Sequence, residues 1–159
     1  MDFSKFKTND WLLVGGGLGA LIFGFVSWAD GGGNAFDFFF TGTVPWLLLV
    51  ATGVLAFLKV QGTLGGNLPW PLIFVGTTGL AVLLLLIRLI FNPYSKAGID
   101  FDIGRGPGMI LSVISGIAAL AGAVLGFQAA GGDLKDLTDV NKLKGAFGGD
   151  DTPPPPPSA

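Results

Sequence analysis

Long uncharged apolar blocks are the feature that most constrains what this chain can fold into. A helix of ~20 apolar residues is needed to cross a hydrocarbon core of ~30 Å, and in lipid only a helix or a closed barrel satisfies every backbone N–H and C=O group. Lys59 and Arg88 are the only charges inside the blocks. The pattern predicts an all-α integral membrane protein, a four-transmembrane-helix bundle with spans at residues 11–29, 44–59, 70–91 and 108–128.

The composition agrees with a lipid environment and excludes much enzyme chemistry. Hydrophobic residues make up 50% of the 159 residues and charged residues 13%, against ~25% charged residues in soluble globular chains. The chain has no Cys and no His, which excludes disulfides, imidazole chemistry and the commonest transition-metal and haem ligands. Its net charge is −2, so no basic patch suggests nucleic acid. We expect a protein without cofactor or metal that is not an enzyme and whose first partner is the lipid bilayer.

The positive charges predict how the spans are oriented, because Lys and Arg beside a span stay in the cytoplasm. Six lysines lie in the N-terminal segment (residues 1–10), the loop after the second span and the tail. The other side carries only Lys96 and Arg105, or three charges if Arg88 is included. This asymmetry predicts a multi-pass protein of the cell (inner) membrane with both termini in the cytoplasm. Indole rings prefer the headgroup level, and the predicted span ends hold four of them as interface anchors: Trp11, Trp28, Trp46 and Trp70.

The first span also resembles a secretory signal peptide. Lys5 and Lys7 precede it, and Ser27 and Ala29 stand where the small residues of a cleavage site would be. The apolar stretch is longer than the usual ~7–15 residues of a signal peptide, and Trp28 has an anchoring role without cleavage. We therefore favour a retained span.

Small residues at four-residue spacing predict that the first and fourth spans form the closest helix pair. In lipid, helices associate mainly through close backbone approach at small residues. The same rows could instead form a homo-oligomer interface, but such motifs are common by chance, so we favour packing within the bundle. The rows comprise Gly15, Gly16, Gly19, Ala20 and Gly24 in the first span and Gly108, Ser112, Gly116, Ala119, Gly122 and Gly126 in the fourth.

Arg88 stands out because it lies in the otherwise apolar run LLLLIRLIFNP, residues 83–93. Counted from Leu72 at ~1.5 Å per residue, it lies ~24 Å across a ~30 Å hydrocarbon core, within reach of the outer headgroups. We expect Arg88 to be an interface anchor. The alternative is a functional charge, with its partner among Asp30, Asp37, Asp100 and Asp102.

Two outer loops carry the remaining distinctive residues. In GIDFDIGRGPG (residues 98–108), we expect Asp100, Asp102 and Arg105 to make outer-face ion pairs. The two aspartates are too few for a Ca²⁺ site, and GRGPG lacks the G-K-[ST] ending of a phosphate loop. The phenylalanine-rich loop, residues 30–43, is predicted to lie at the membrane surface or to re-enter the membrane.

The cytoplasmic tail, residues 129–159, is predicted to contain a short amphipathic helix at residues 133–144. Asp133 is its N-cap and Gly145 its C-terminal stop. Its loose apolar stripe could lie on the inner membrane surface. Residues 145–159 predict a disordered, proline-rich end, to which a cytoplasmic protein partner could bind.

Several short motifs together resemble a known family. They are DWLLVGGG with Trp28 closing the first span, AFDFFFTGTVPWLLLVATGVLA, LPWPLI, IRL and GRGPG, and the resemblance covers roughly residues 8–128. In these the chain resembles a family of small, uncharacterised four-span integral membrane proteins of actinobacteria. The resemblance implies the inner membrane of a high-GC Gram-positive bacterium, and it implies no activity and no functional residue.

We interpret the sequence as a non-enzymatic scaffold or accessory subunit of a membrane complex, with its tail as the contact element. The alternative is a small oligomeric transporter or channel component. No Asp, Lys or His lies in the middle of a span, although ion and proton pathways depend on ionisable residues at depth. A membrane enzyme is the least favoured class, because the sequence has no acid–base or nucleophilic constellation.

Overall fold

The chain is described by a computed structural model that covers residues 3–30, 32–65, 68–91, 95–96, 99–100 and 104–147. Four long helices form its body: α1 (Thr8–Phe23), α2 (Val44–Val60), α3 (Trp70–Phe91) and α4 (Pro107–Ala129). A short α5 (Val140–Phe147) lies in the tail. Between α3 and α4, the two-residue strands β1 (Ser95–Lys96) and β2 (Ile99–Asp100) pair antiparallel. The fold class is therefore all-helical apart from this hairpin.

The four long helices form a closed bundle in which each contacts two neighbours. α1 packs on α2 and α4, and α3 packs on the same two helices, so that α2 and α4 lie diagonally. Two clusters of buried side chains fill the interior. The larger contains Leu49, Leu85 and Met109 and lies towards one end of the bundle, called here the Arg88 end. The smaller contains Leu13, Phe74 and Ala123 and lies towards the other, the Trp70 end.

Three helices in the described part of the chain are long and apolar enough to cross a membrane: Phe39–Val60, Trp70–Phe91 and Pro107–Ala129. A π-helix at Phe39–Thr43 runs directly into α2 and lengthens that helix beyond the predicted start at residue 44. This architecture is compatible with a helical membrane protein.

The first helix departs from the sequence prediction. α1 has 16 residues, or ~24 Å at ~1.5 Å per residue, and it ends at Phe23 where the predicted span continues to residue 29. Beyond Phe23 the helical hydrogen-bond pattern is replaced: the Gly24 carbonyl accepts a hydrogen bond from Ala35 N at 3.0 Å, and Gly24 packs directly against the indole of Trp46. Residues 24–30 thereby leave the helix and join the loops at the Arg88 end.

The tail forms two elements where one helix, residues 133–144, was predicted. Asp133 is an N-cap as expected, since its side chain accepts from Lys135 N at 3.0 Å, but it caps a 3₁₀ turn, Leu134–Thr138. Asp139 is extended and its side chain caps α5 by accepting from Asn141 N at 2.9 Å. α5 also runs through Gly145, the predicted stop. The predicted disordered segment beyond Phe147 lies outside the described residues.

Candidate functional site

The Arg88 end of the bundle is assembled from two loops that run side by side. Asp30 N donates to Gly104 O at 3.0 Å, Gly106 N to Trp28 O at 3.0 Å and Gly108 N to Ser27 O at 2.8 Å. Glycine is needed in the second loop because a Cβ at Gly106 or Gly108 would lie 2.5 Å from the carbonyl oxygen of Ser27 or Val26. The close pairing closes this end of the bundle.

Arg88 lies inside this end and is only 3% exposed. Its guanidinium carbon is 3.6 Å from the centroid of the Phe38 ring, a cation–π contact. Phe38 is positioned by the π-helix, since its carbonyl accepts from Gly42 N at 2.7 Å and Thr43 N at 2.9 Å. The prediction that Arg88 reaches out to the headgroups is therefore corrected. The side chain turns into the protein and lies against the Phe38 ring.

Arg105 caps the C-terminal end of α3. Its Nε donates to Leu89 O at 2.7 Å and its Nη2 to Ile90 O at 3.4 Å. The guanidinium thus binds carbonyls that the last turn of α3 leaves without helical partners, where positive charge is also favoured by the helix dipole. Arg105 was predicted to form ion pairs with Asp100 and Asp102; their side chains lie outside the described residues.

The four tryptophans differ in how deeply their side chains are buried. Trp11 is 50% exposed, while Trp46 and Trp70 are half-buried. Trp28 is only 2% exposed, and its Nε1 donates to Phe23 O at 3.0 Å. Its role as a headgroup anchor is corrected: the indole fills the core and caps α1.

The α1–α4 contact uses most of the small residues singled out in the sequence. A Cβ on Gly16 would lie 2.6 Å from Ser115 O, and one on Gly122 would lie 2.6 Å from Asn9 O, so the two backbones touch. Ala20, Ser112 and Ala119 are buried, Gly19 meets the Ser115 side chain, and Gly126 meets the Asn9 side chain. The remaining positions lie elsewhere: Gly24 packs on Trp46, Gly108 on the 26–27 backbone, Gly116 on Val82 and Leu85, and Gly15 faces open space, where a Cβ would meet nothing within 4 Å.

Sequence reasoning missed a second backbone contact, between α1 and α2. A Cβ on Gly17 would lie 2.8 Å from Gly53 Cα. Gly17 falls outside the four-residue rows and Gly53 is the only glycine of its span, so neither forms a repeat. The available signal was one glycine in each helix that belongs to no four-residue row. Phe38 was missed as well, because the sequence does not indicate which of several neighbouring phenylalanines faces Arg88.

The polar groups of the bundle interior offer little chemistry. Apart from Arg88, the buried polar side chains among the described residues are hydroxyls, those of Thr52, Thr78, Ser112 and Ser115. Thr78 Oγ1 and Ser115 Oγ bond to carbonyls of their own helices at 2.6 and 2.8 Å, and the Thr52 and Thr77 hydroxyls bond to each other at 3.0 Å across α2 and α3. A hydroxyl without an adjacent base is a weak nucleophile, and a guanidinium does not release its proton. Of these contacts, the Thr52–Thr77 bond joins two helices, and the other two stay within one helix.

The described part of the tail, residues 129–147, contains an ion pair. Lys142 Nζ forms an ion pair with Asp136 Oδ1 and joins the 3₁₀ turn to α5. The hydrogen bond from Lys142 lowers the pKa of the Asp136 carboxyl, with a smaller contribution from the Asp133 backbone N–H. The same hydrogen bond raises the pKa of Lys142. Both groups are fully charged at neutral pH.

No protein-family model, curated protein or solved structure matches the chain.

Proposed function

We propose that the chain is a four-span protein of the cell membrane that acts as a non-enzymatic scaffold or accessory subunit, with both termini in the cytoplasm. The observation that carries the proposal is the nature of the bundle interior. Leu49, Leu85 and Met109 fill it, and its helices are joined by close backbone contacts and by the bond between the Thr52 and Thr77 hydroxyls. A bundle with a filled apolar interior and closely packed helices is suited to holding a surface in place.

The tail is the proposed contact element. α5 leaves Val140 and Phe147 more than 60% exposed, and Lys142 pairs with Asp136, so this segment presents apolar and charged groups together. The five consecutive prolines that follow, residues 153–157, are a sequence feature that partner domains with aromatic grooves bind.

Truncation tests this proposal. The full chain, a chain lacking residues 148–159 and one lacking residues 133–159 are crosslinked in native membranes, solubilised gently and analysed by mass spectrometry. We expect a protein partner with the full chain that is lost with the longer deletion, while all three chains stay in the membrane fraction. A full chain that purifies alone after crosslinking contradicts the proposal.

A second candidate is a small oligomeric transporter or channel component. It is favoured by Gly76 and Gly79 on α3, where a Cβ would meet nothing within 4 Å, so another helix could approach closely. A homo-oligomer could then enclose a path between copies. Ion flux through liposomes that contain the full chain separates this candidate from the scaffold, which gives none.

A further inference from the structure

An apolar groove runs along the outside of the α1–α2 pair. Its volume is about 310 Å³, within the range of ~300–1,000 Å³ that ligand pockets occupy. Gly17 and Gly53 form its floor, because neither has a side chain to fill the space where the helices touch. Leu18 and Val54 form its walls and are 55% and 53% exposed. A groove of this kind in a membrane is filled by lipid chains or by another helix.

Aromatic rings close the Trp70 end of this groove. The Phe6 ring lies 5.0 Å from that of Trp11 and 5.8 Å from that of Phe57, measured between centroids. The N-terminal segment is therefore folded over the groove. Tryptophan is enriched at the boundary between hydrocarbon and headgroups, so Trp11 marks this end of the groove as the end at the headgroup level.

Positive charges surround the same end. Lys5 and Lys7 flank Phe6 in sequence, Lys59 follows Phe57 by two residues, and all three are exposed. The Lys59 ammonium lies 5.6 Å from the Phe74 ring centroid. The described acid nearby, Asp10, uses its carboxylate to cap α1 by accepting from Lys7 N at 3.0 Å. Among the described residues, this end of the bundle therefore carries the exposed lysines Lys5, Lys7 and Lys59, while the Asp10 carboxylate is engaged in the helix cap.

We propose that this groove binds an anionic phospholipid, with one acyl chain over Gly17 and Gly53 and the phosphate near Lys5, Lys7 and Lys59. Basic sites between helices on the cytoplasmic side are the usual headgroup sites for such lipids. A second copy is disfavoured because a two-fold interface places the same surface patch on both subunits, and the lysines of parallel copies would face each other. The inference rests on the proposed membrane location.

Quenching of Trp11 fluorescence tests the site in the full chain reconstituted into phosphatidylcholine vesicles. Phosphatidylglycerol brominated on an acyl chain is added as a minor component, and brominated phosphatidylcholine is the matched probe. The contribution of Trp11 is the difference in fluorescence between the full chain and its Trp11→Phe variant. We expect severalfold stronger quenching by the anionic lipid. Equal quenching by both lipids overturns the proposal.

Substitutions distinguish binding at this groove from a general attraction of the protein to anionic lipid. Lys5→Gln, Lys7→Gln and Lys59→Gln together should abolish the preference, and Val54→Phe should reduce quenching by filling the groove. The controls are Lys135→Gln with Lys144→Gln in the tail and Leu83→Phe, on an exposed position of α3. A preference that survives the first set, or that falls equally in the controls, overturns the site.

Vesicle flotation and helical circular dichroism are measured on every variant. A full chain that does not float contradicts the proposed membrane location. A chain that floats, is helical and shows no lipid preference contradicts only the lipid site.

Discussion

At the scale of single residues, Arg88 shows what position along a chain can and cannot indicate. The distance along α3 places it near one end of the bundle, but the direction of its side chain depends on Phe38, which comes from another segment. A desolvated cation–π contact contributes about 2 kcal/mol, so the Phe38 ring stabilises this buried charge.

We predict that Phe38→Leu destabilises the bundle by about 2 kcal/mol, because it removes the aromatic face beneath the guanidinium. The matched control is Phe40→Leu: Phe40 is 73% exposed, and its substitution should change stability by less than ~0.5 kcal/mol. Unfolding in mixed micelles with increasing dodecyl sulfate, followed by circular dichroism, measures both. Equal losses in the two variants would show that the contact does not stabilise Arg88.

Two adjacent glycines give an equally direct test of the α1–α4 contact. Gly16→Ala should destabilise the protein by ~1–3 kcal/mol, the usual effect of overpacking, because the new methyl would lie 2.6 Å from Ser115 O. Gly15→Ala has open space and should be neutral or stabilise by up to ~1 kcal/mol through helix propensity. The same unfolding assay measures the difference, and a Gly16→Ala variant as stable as Gly15→Ala would contradict the close approach.

At the scale of elements, hydropathy predicted some helices far better than others. The predicted third span coincides with α3, Trp70–Phe91, and the fourth differs from α4, Pro107–Ala129, by one residue at each end. Both are bounded by proline near the start, a local signal. The end of α1 was misplaced by six residues because hydrogen bonds to distant loops end that helix. Hydrogen bonds between segments that are distant in the sequence cannot be recognised from local hydropathy.

The tail shows the same limit in a shorter segment. Asp133 was recognisable as a cap because capping is local. The division at Asp139 depends on a second cap and on the ion pair between Asp136 and Lys142. Periodicity alone could not distinguish two capped elements from one helix.

We predict that the ion pair makes the tail structure dependent on pH at both extremes. Asp136 has a lowered pKa, so its stabilising contribution is complete above the ordinary carboxyl range and is lost as pH falls through the lowered pKa. Lys142 has a raised pKa, so its contribution is complete below the ordinary amine range and is lost as pH rises through the raised pKa. Lys142→Gln should return the Asp136 pKa towards its ordinary value, measured by carboxyl ¹³C NMR titration.

The matched control for this variant is Lys144→Gln, which removes a charge of the same sign from the same short helix. Lys144 has no part in the ion pair with Asp136. Its substitution should leave the Asp136 titration nearly unchanged. If both variants shift the titration equally, net charge controls the carboxyl and the pair does not.

At the scale of the whole molecule, the main question is how many times the chain crosses the membrane. Three helices have the length and hydropathy to do so, whereas α1 reaches only ~24 Å. α1 nevertheless contacts both α2 and α4 along the bundle, and residues 24–30 extend its path at the Arg88 end. Because α1 packs against α4 from Asn9, beside Gly122, to Gly19, beside Ser115, we favour four crossings.

Labelling of single introduced cysteines distinguishes three crossings from four, since the chain has no cysteine of its own. With four crossings and cytoplasmic termini, Ser4→Cys, Thr63→Cys and Asn141→Cys should react with an impermeant maleimide only after the cells are permeabilised. Asp30→Cys should react in intact cells. With three crossings, Ser4→Cys would become reactive from outside while Thr63→Cys and Asn141→Cys stayed protected. The reversed orientation would exchange all four results, so each topology predicts its own labelling pattern.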